Sequence, residues 1–349
     1  VKNDTDILEY LPKHSWLRRY ALAAQLADKG PWLYHFGVGL ALLASTCPPS
    51  LRFPSTREPQ GVSANMYVLL LWPPTQQGQT STVLQQGRNV AERASIRDCN
   101  LYGISGEGLF RAVSGGLRGF PSLEPVPSPA DFHPGVFAWA PDLLRTPVFP
   151  ERTANVMTML ADCWDGRPIL RVETSTAVQT AVPCLGVAAT ANMTQFVRDF
   201  SATVDFSRFL VLSPTGWNRA PELVVDSTLT ELVSDLRARV APQAAPCAGL
   251  GGESSARWFE WLDSVAARRE EESQSIKMRL SYLRAPEMAK KLALLFSWDF
   301  GLPDEAVWRP VPREGAPWGI PVQAVDAAIA VVEHHLATVD KLLRSRADR

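Results

Sequence analysis

A chain of 349 residues with 46% hydrophobic and 20% charged residues has the balance of an ordinary globular protein and is long enough for two domains, or one large one with an appendage. A formal net charge of -1 excludes a global pull toward nucleic acid or acidic membranes, and leaves only a local basic face to supply one. The five cysteines are odd in number, far apart and never in a CxxC pair, which argues against a disulfide framework or a zinc site and for a reducing compartment.

The opening VKNDTDILEYLPKHSWLRRY is mixed and charged, unlike a signal peptide, so a cytoplasmic protein is expected. The spacing of Leu8, Leu11, Leu17, Tyr20, Ala21 and Ala24 predicts a helix over 6–27. A second helix, about 31–46, is apolar almost all round and should be buried, being too short to span a bilayer. The proline-rich CPPSLRFPSTREPQG ends it. NMYVLLLW then reads as a strand of a parallel sheet covered on both faces, followed by a helix over 80–95. LYGISGEGLFRAVSGG suggests a strand end, an N-cap at Ser105 and a short helix closing at Gly115-Gly116.

Residues 119–150 hold eight prolines and form a long irregular passage around the apolar island GVFAWA. Beyond it come a helix at 152–164, strands at ILRVETS and AVPCLGVAAT, a short helix at NMTQFVRDF, a strand at SRFLVLSP and a helix at 226–239. This alternation is the signature of an α/β sheet with helical crossovers. APQAAPCAGLGGESS, residues 241–255, reads as a linker, and the rest as helical. Ile276, Leu280 and Leu283 keep helical spacing, Pro286 restarts a turn, and Met288, Leu292 and Leu295 repeat the spacing. Val322, Val325, Ile329, Val332, Leu336, Val339 and Leu343 form a heptad-like stripe, read first as bundle packing and otherwise as a coiled-coil partner face. The expected organisation is an amino-terminal helical segment over 1–60, an α/β core over 61–240, the linker, and a helical domain over 256–349.

The strand-turn-helix MYVLLLWPPTQQGQTSTVLQQ has the layout of a phosphate-binding loop, GxxxxGK[ST]. Gly78 and Thr80 fit, and Ser81 follows. Pro73 replaces the first glycine, which locks φ and removes one N–H, and Gln79 replaces the lysine. A neutral amide can hydrogen-bond a phosphate but cannot offset its charge, so the loss falls on phosphoryl transfer, where charge develops. A working site also needs an acidic residue at the end of a nearby strand. GVFAWAPDLL has Ala138 and Trp139 there, and Asp142 only after Pro141.

The order of these pieces resembles a bacterial domain-of-unknown-function family of P-loop ATPases found in plasmids, prophages and other mobile elements. That family is often joined to primase-polymerase modules and is similar to replicative helicases. The likeness covers roughly residues 30–345: FGVGLALLAST, the strand and loop, SGEGLFRAVSG, VMTMLADCWDGR, PCLGVAAT, VDFSRFLVLSP and SYLRAPEMAKKLALLF, then the terminal helix. It implies a P-loop NTPase-like, RecA/AAA-like parallel sheet with flanking helices and a carboxyl-terminal helical domain. It gives Thr190 the place of a residue that orients attacking water, Arg208 that of an arginine finger toward a neighbouring subunit, and Arg284 that of a sensor arginine. Pro73, Gln79 and the missing acidic pair depart from the pattern and put catalysis in doubt, not the fold.

No histidine lies at metal-ligand spacing, and Ser81, Ser105 and Ser213 lack a G-x-S-x-G context. ARREEESQSIKMR reads as a solvated face. Arg268, Arg269, Lys290, Lys291, Lys341, Arg344 and Arg346 are candidates for a basic, nucleic-acid-binding face, with Trp258 and Trp261 as core or as base-stacking aromatics. The expected function is a pseudo-ATPase: a scaffold binding protein subunits, with nucleic acid and oligomerisation as further options, no membrane partner, and no required cofactor beyond weak ATP and magnesium. The alternatives are an active DNA-dependent ATPase or helicase subunit completed by a neighbouring chain, and a plain binding module.

Overall fold

The structure, a computed structural model, describes residues 6–28, 30–48, 51–53, 61–73, 77–102, 104–113, 135–143, 150–167, 169–174, 177–181, 184–199, 206–214, 228–240, 248–271, 275–301 and 318–347. The helix expected over 6–27 divides into α1 (Asp6–Glu9) and α2 (Trp16–Asp28). Pro12 offers no N–H, and Ser15 opens the second helix by accepting at Oγ from Arg18 N (3.1 Å). The apolar helix α3 (Trp32–Ala44) is buried at every position. A small antiparallel pair, β1 (Arg52–Phe53) and β2 (Val62–Ser63), leads into β3 (Met66–Trp72), which is buried throughout.

The expected alternation follows: α4 (Gln77–Arg93), β4 (Arg97–Asn100), α5 (Gly106–Val113), β5 (Val136–Ala140) and α6 (Pro150–Trp164). Ser105 caps α5 as expected, its Oγ accepting from Gly108 N (3.1 Å). The hairpin β6 (Ile169–Thr174) and β7 (Ala177–Ala181) precedes β8 (Leu185–Asn192), α7 (Met193–Asp199), a single 3-10 turn (Phe206–Arg208) and β9 (Leu210–Leu212). The remainder is α8 (Leu229–Val240), β10 (Ala248–Leu250), α9 (Gly252–Glu270), α10 (Ile276–Phe300), β11 (Trp318–Ile320) and α11 (Val322–Ala347). Gly115-Gly116 and most of the proline-rich passage lie outside the described residues.

Five strands form one parallel sheet in the order β4-β5-β8-β3-β9. The chain leaves β3 for the far edge, returns through β5 and β8, and crosses β3 to β9. The direction of winding therefore reverses at β3, and crevices outside the carboxyl ends of strands at such reversals are where α/β sheets bind ligands. On one face, α3 sits close because its glycines permit it. A Cβ on Gly37 would lie 2.8 Å from Leu70 Cδ2, and one on Gly39 would lie 2.6 Å from Leu17 Cδ1 in α2. On the other face, Tyr67 Oη donates to Leu160 O (2.7 Å) and Asn65 Nδ2 to Cys163 O (2.6 Å), tying α6 to the amino edge.

The helices expected to form a separate amino-terminal segment share one hydrophobic core with the sheet and the carboxyl-terminal helices. The described part of the expected linker is structured. β10 pairs in parallel with β11, and α9 already begins at Gly252. Pro286 does not break the last region, because α10 runs through it. The lost backbone bond costs on the order of 3 kcal/mol, which the burial of Tyr282, Ala285, Met288 and Ala289 around it offsets. The α11 stripe packs inward as bundle core: Val325, Ile329, Val332, Leu336 and Val339 are buried.

α11 also covers the outer edge of β9. Val211 N donates to His335 Nδ1 (2.9 Å), a bond that only an unprotonated Nδ1 can accept. Burial pushes the His335 pKa down to about 4. In the unfolded chain it returns to about 6.5, so as pH falls below that value the unfolded state gains a proton that the folded state refuses. The stability advantage of wild type over His335→Gln is therefore full above pH 6.5, and should shrink by about 3 kcal/mol on going down to pH 4. Urea denaturation of both proteins across that window checks this.

Candidate functional site

The carboxyl edge of the sheet carries the elements to which the sequence assigns a phosphate loop. β3 ends at Trp72, Pro73 follows, and α4 opens at Gln77, so Gly78, Gln79 and Thr80 form its first turn. Ser81 is exposed one step further along. A helix amino terminus presents unpaired N–H groups and a partial positive charge to whatever lies before it. What the first turn lacks is a formal cation, since the position of the lysine is Gln79.

Thr190 does not end its strand as the sequence suggested. β8 continues to Asn192, and Thr190 pairs in register with Leu70 inside the sheet. It is buried, and its hydroxyl has no hydrogen-bond partner among the described residues. By strand alternation it shares a face with Gly186, over which α3 packs. Asn192 is the polar residue at the strand's end, and its Oδ1 accepts from Thr194 N (2.9 Å) and Gln195 N (3.2 Å) to cap α7. Sequence reading passed over it, although Asn before a helical segment is a capping signal.

Asp142 changes the account of the missing carboxylate. Ala138 and Trp139 do occupy the strand. Pro141, however, ends β5 after Ala140, and Asp142 is buried in the turn at its carboxyl end. Ala140 pairs with Ala189, which in turn pairs with Leu69. An acidic side chain is thus present at the same edge as the turn after β3. The signal was in the sequence, because a proline closing a buried strand sends the next residue to the strand's end. Among the described residues, no three His, Cys, Asp or Glu side chains gather as a metal site.

The other proposed arginines lie elsewhere. Leu210 pairs with Val68, so Arg208 is level with Met66 at the amino edge. That is about 20 Å along the strands from the turn after Trp72. Its guanidinium faces Asp165 (3.4 Å), and both side chains are largely buried, so Arg208 lies away from this chain's own loop. Arg284 pairs with Glu287 (3.1 Å) on α10.

The basic face is also dispersed. Lys291 is fully buried, and its Nζ donates to Ser63 O (3.2 Å) and Trp164 O and lies over the Trp164 ring. Burial pushes its pKa down to about 8. It anchors α10 at the amino edge and is closed to nucleic acid. Arg268 forks onto Glu333 (2.8 and 2.6 Å) and lies over Tyr282, while Arg269 faces Glu270 (3.5 Å). Lys290 lies over Phe53, and Arg344 pairs with Asp340 (3.0 Å). Trp258 and Trp261 are buried, and the Trp261 indole donates to Glu333 (2.7 Å), so they are core. The described cysteines Cys47, Cys99, Cys163 and Cys184 are free and buried.

No protein-family model matches the chain, and no curated protein matches it. Among the described residues, no helix is long and apolar enough to cross a membrane.

Proposed function

We propose that this chain is a pseudo-ATPase, a P-loop NTPase-like scaffold that acts as an interaction subunit in a mobile-element replication, transposition or defence assembly. The observation that carries the reading is the sheet order. The loop-bearing strand β3 is interior, its successor β4 is at the far edge, and β5 and β8 fill the space between. That layout supports a P-loop NTPase-like core, because it brings the first turn of α4 to the point where the winding of the sheet reverses. Silence follows from Gln79, because a triphosphate there would meet no lysine. The kind of assembly rests on the family resemblance alone.

Asp142 favours a second reading, an ATPase subunit completed by a cation from a neighbouring chain. It supplies at the carboxyl edge the carboxylate that a magnesium-bound nucleotide would need. Titration with labelled ATP, with and without magnesium, and a turnover assay separate the two. On the first reading, the wild type turns over no ATP above background. Gln79→Lys should tighten ATP binding by roughly ten- to a hundredfold, the range a hydrogen bond to a charged group spans, without creating turnover. Turnover by the wild type that vanishes with Asp142→Ala would establish the second reading. No gain in binding from the lysine would remove the nucleotide site altogether and leave a plain binding module.

A further inference from the structure

The first two turns of α10 depart from the rule that apolar side chains at helical spacing face the core. Ile276, Leu280 and Leu283 stand at i, i+4 and i+7 and are 79%, 48% and 50% exposed. The buried side of the same turns is formed by Met278, Ser281 and Tyr282. The three apolar residues line a groove of about 470 Å³ with Arg269 and Glu270 from the end of α9, and with Arg279. Ile276, Leu280 and Leu283 thus form one contiguous exposed apolar stripe rather than scattered single residues.

The rim decides between occupants. A groove built for an acidic or a basic peptide carries charge of one sign. This one carries both: Arg269 and Arg279 beside Glu270, whose side chain is 76% exposed. A surface that presents an apolar stripe flanked by both signs is complementary to itself under a two-fold axis, where residue i meets j and j meets i. Phe259, 61% exposed, lies three turns before Glu270 on the same side of α9, which lengthens the apolar face by about 16 Å toward the area a stable pair needs.

We infer that the α9–α10 face is a homodimer interface, with the Ile276, Leu280 and Leu283 stripes of two copies packed together and Arg279 of one copy against Glu270 of the other. The inference stands apart from whatever the carboxyl edge of the sheet binds. It is tested with the full chain by sedimentation equilibrium over a wide concentration range. Wild type should dimerise, and Leu280→Asp should raise the dimer Kd by roughly tenfold or more. All three variant sites, Glu270, Arg279 and Leu280, are exposed, so the circular dichroism spectrum should not change, nor should the melting temperature at concentrations where the wild type is monomeric. Glu270→Arg and Arg279→Glu should each weaken the dimer, and the double charge swap should restore it, a rescue that nonspecific apolar association does not give. A wild type that stays monomeric at every concentration overturns the inference. So does a dimer that Leu280→Asp leaves intact, or one that the swap fails to restore.

Discussion

Asp299→Ala should lower the stability of the folded chain by about 3–5 kcal/mol, the cost of breaking a buried ion pair from one side. Asp299 is near the end of α10 and is completely enclosed, and it caps a helix more than 280 residues away in sequence. Its carboxylate accepts from Ser15 Oγ, Trp16 N (2.9 Å) and Leu17 N (3.2 Å), the first donors of α2. Arg239 of α8 lies against the same carboxylate (3.4 Å) and donates to Trp298 O (3.0 Å). Burial pushes the Arg239 pKa down, and the neighbouring Asp299 opposes that shift. Removing the carboxylate would strand a guanidinium and two helix N–H groups in a dry interior. Urea denaturation measures the loss. Adding Arg239→Met should recover part of it, because the unpaired charge goes while the uncapped N–H groups remain. A single-variant effect below about 1 kcal/mol would mean that water reaches this network.

Gly186→Ala should be the most damaging one-carbon change in the sheet. A Cβ there would lie 1.8 Å from the carbonyl oxygen of Ala41 in α3, which is backbone and cannot rotate aside. α3 would have to lift off β8, although it is held at its other end by Tyr34 Oη donating to Leu71 O (2.6 Å). Overpacking of this kind costs about 1–3 kcal/mol, and more where backbone must move. Gly249→Ala is the control. Nothing lies within 4 Å of the Cβ it would add, so its effect should stay within about 0.5 kcal/mol. Thermal melts of the two variants should separate clearly. Equal melting temperatures would show that α3 is not seated on β8 as described.

The periodicities that were legible in the sequence were those with one physical solution. MYVLLLW could only be a doubly covered strand, and WLYHFGVGLALLA only an enclosed helix, because neither has a polar face to give to water. Pattern misled where one residue type serves two ends. Ile276, Leu280 and Leu283 have the same spacing as Met288, Leu292 and Leu295, yet the first three face outward and the second three face the core. Lys291 reads as surface charge until Ser63 and Trp164 are seen around it. Arg208 sits close to a strand in sequence, but at which edge depends on the register of β9 against β3.

The amino acids alone determined the alternation of strands and helices, the burial of β3 and α3, and the lack of a lysine at Gln79, because these depend on local periodicity and on which chemical groups are present. The tertiary structure alone decided the strand order, the enclosure of Lys291 and the capping of α2 by Asp299. Each of these joins groups far apart along the chain. Whether a charge is paired, buried or aimed at a site depends on the neighbours that folding brings to it, and no local pattern records them.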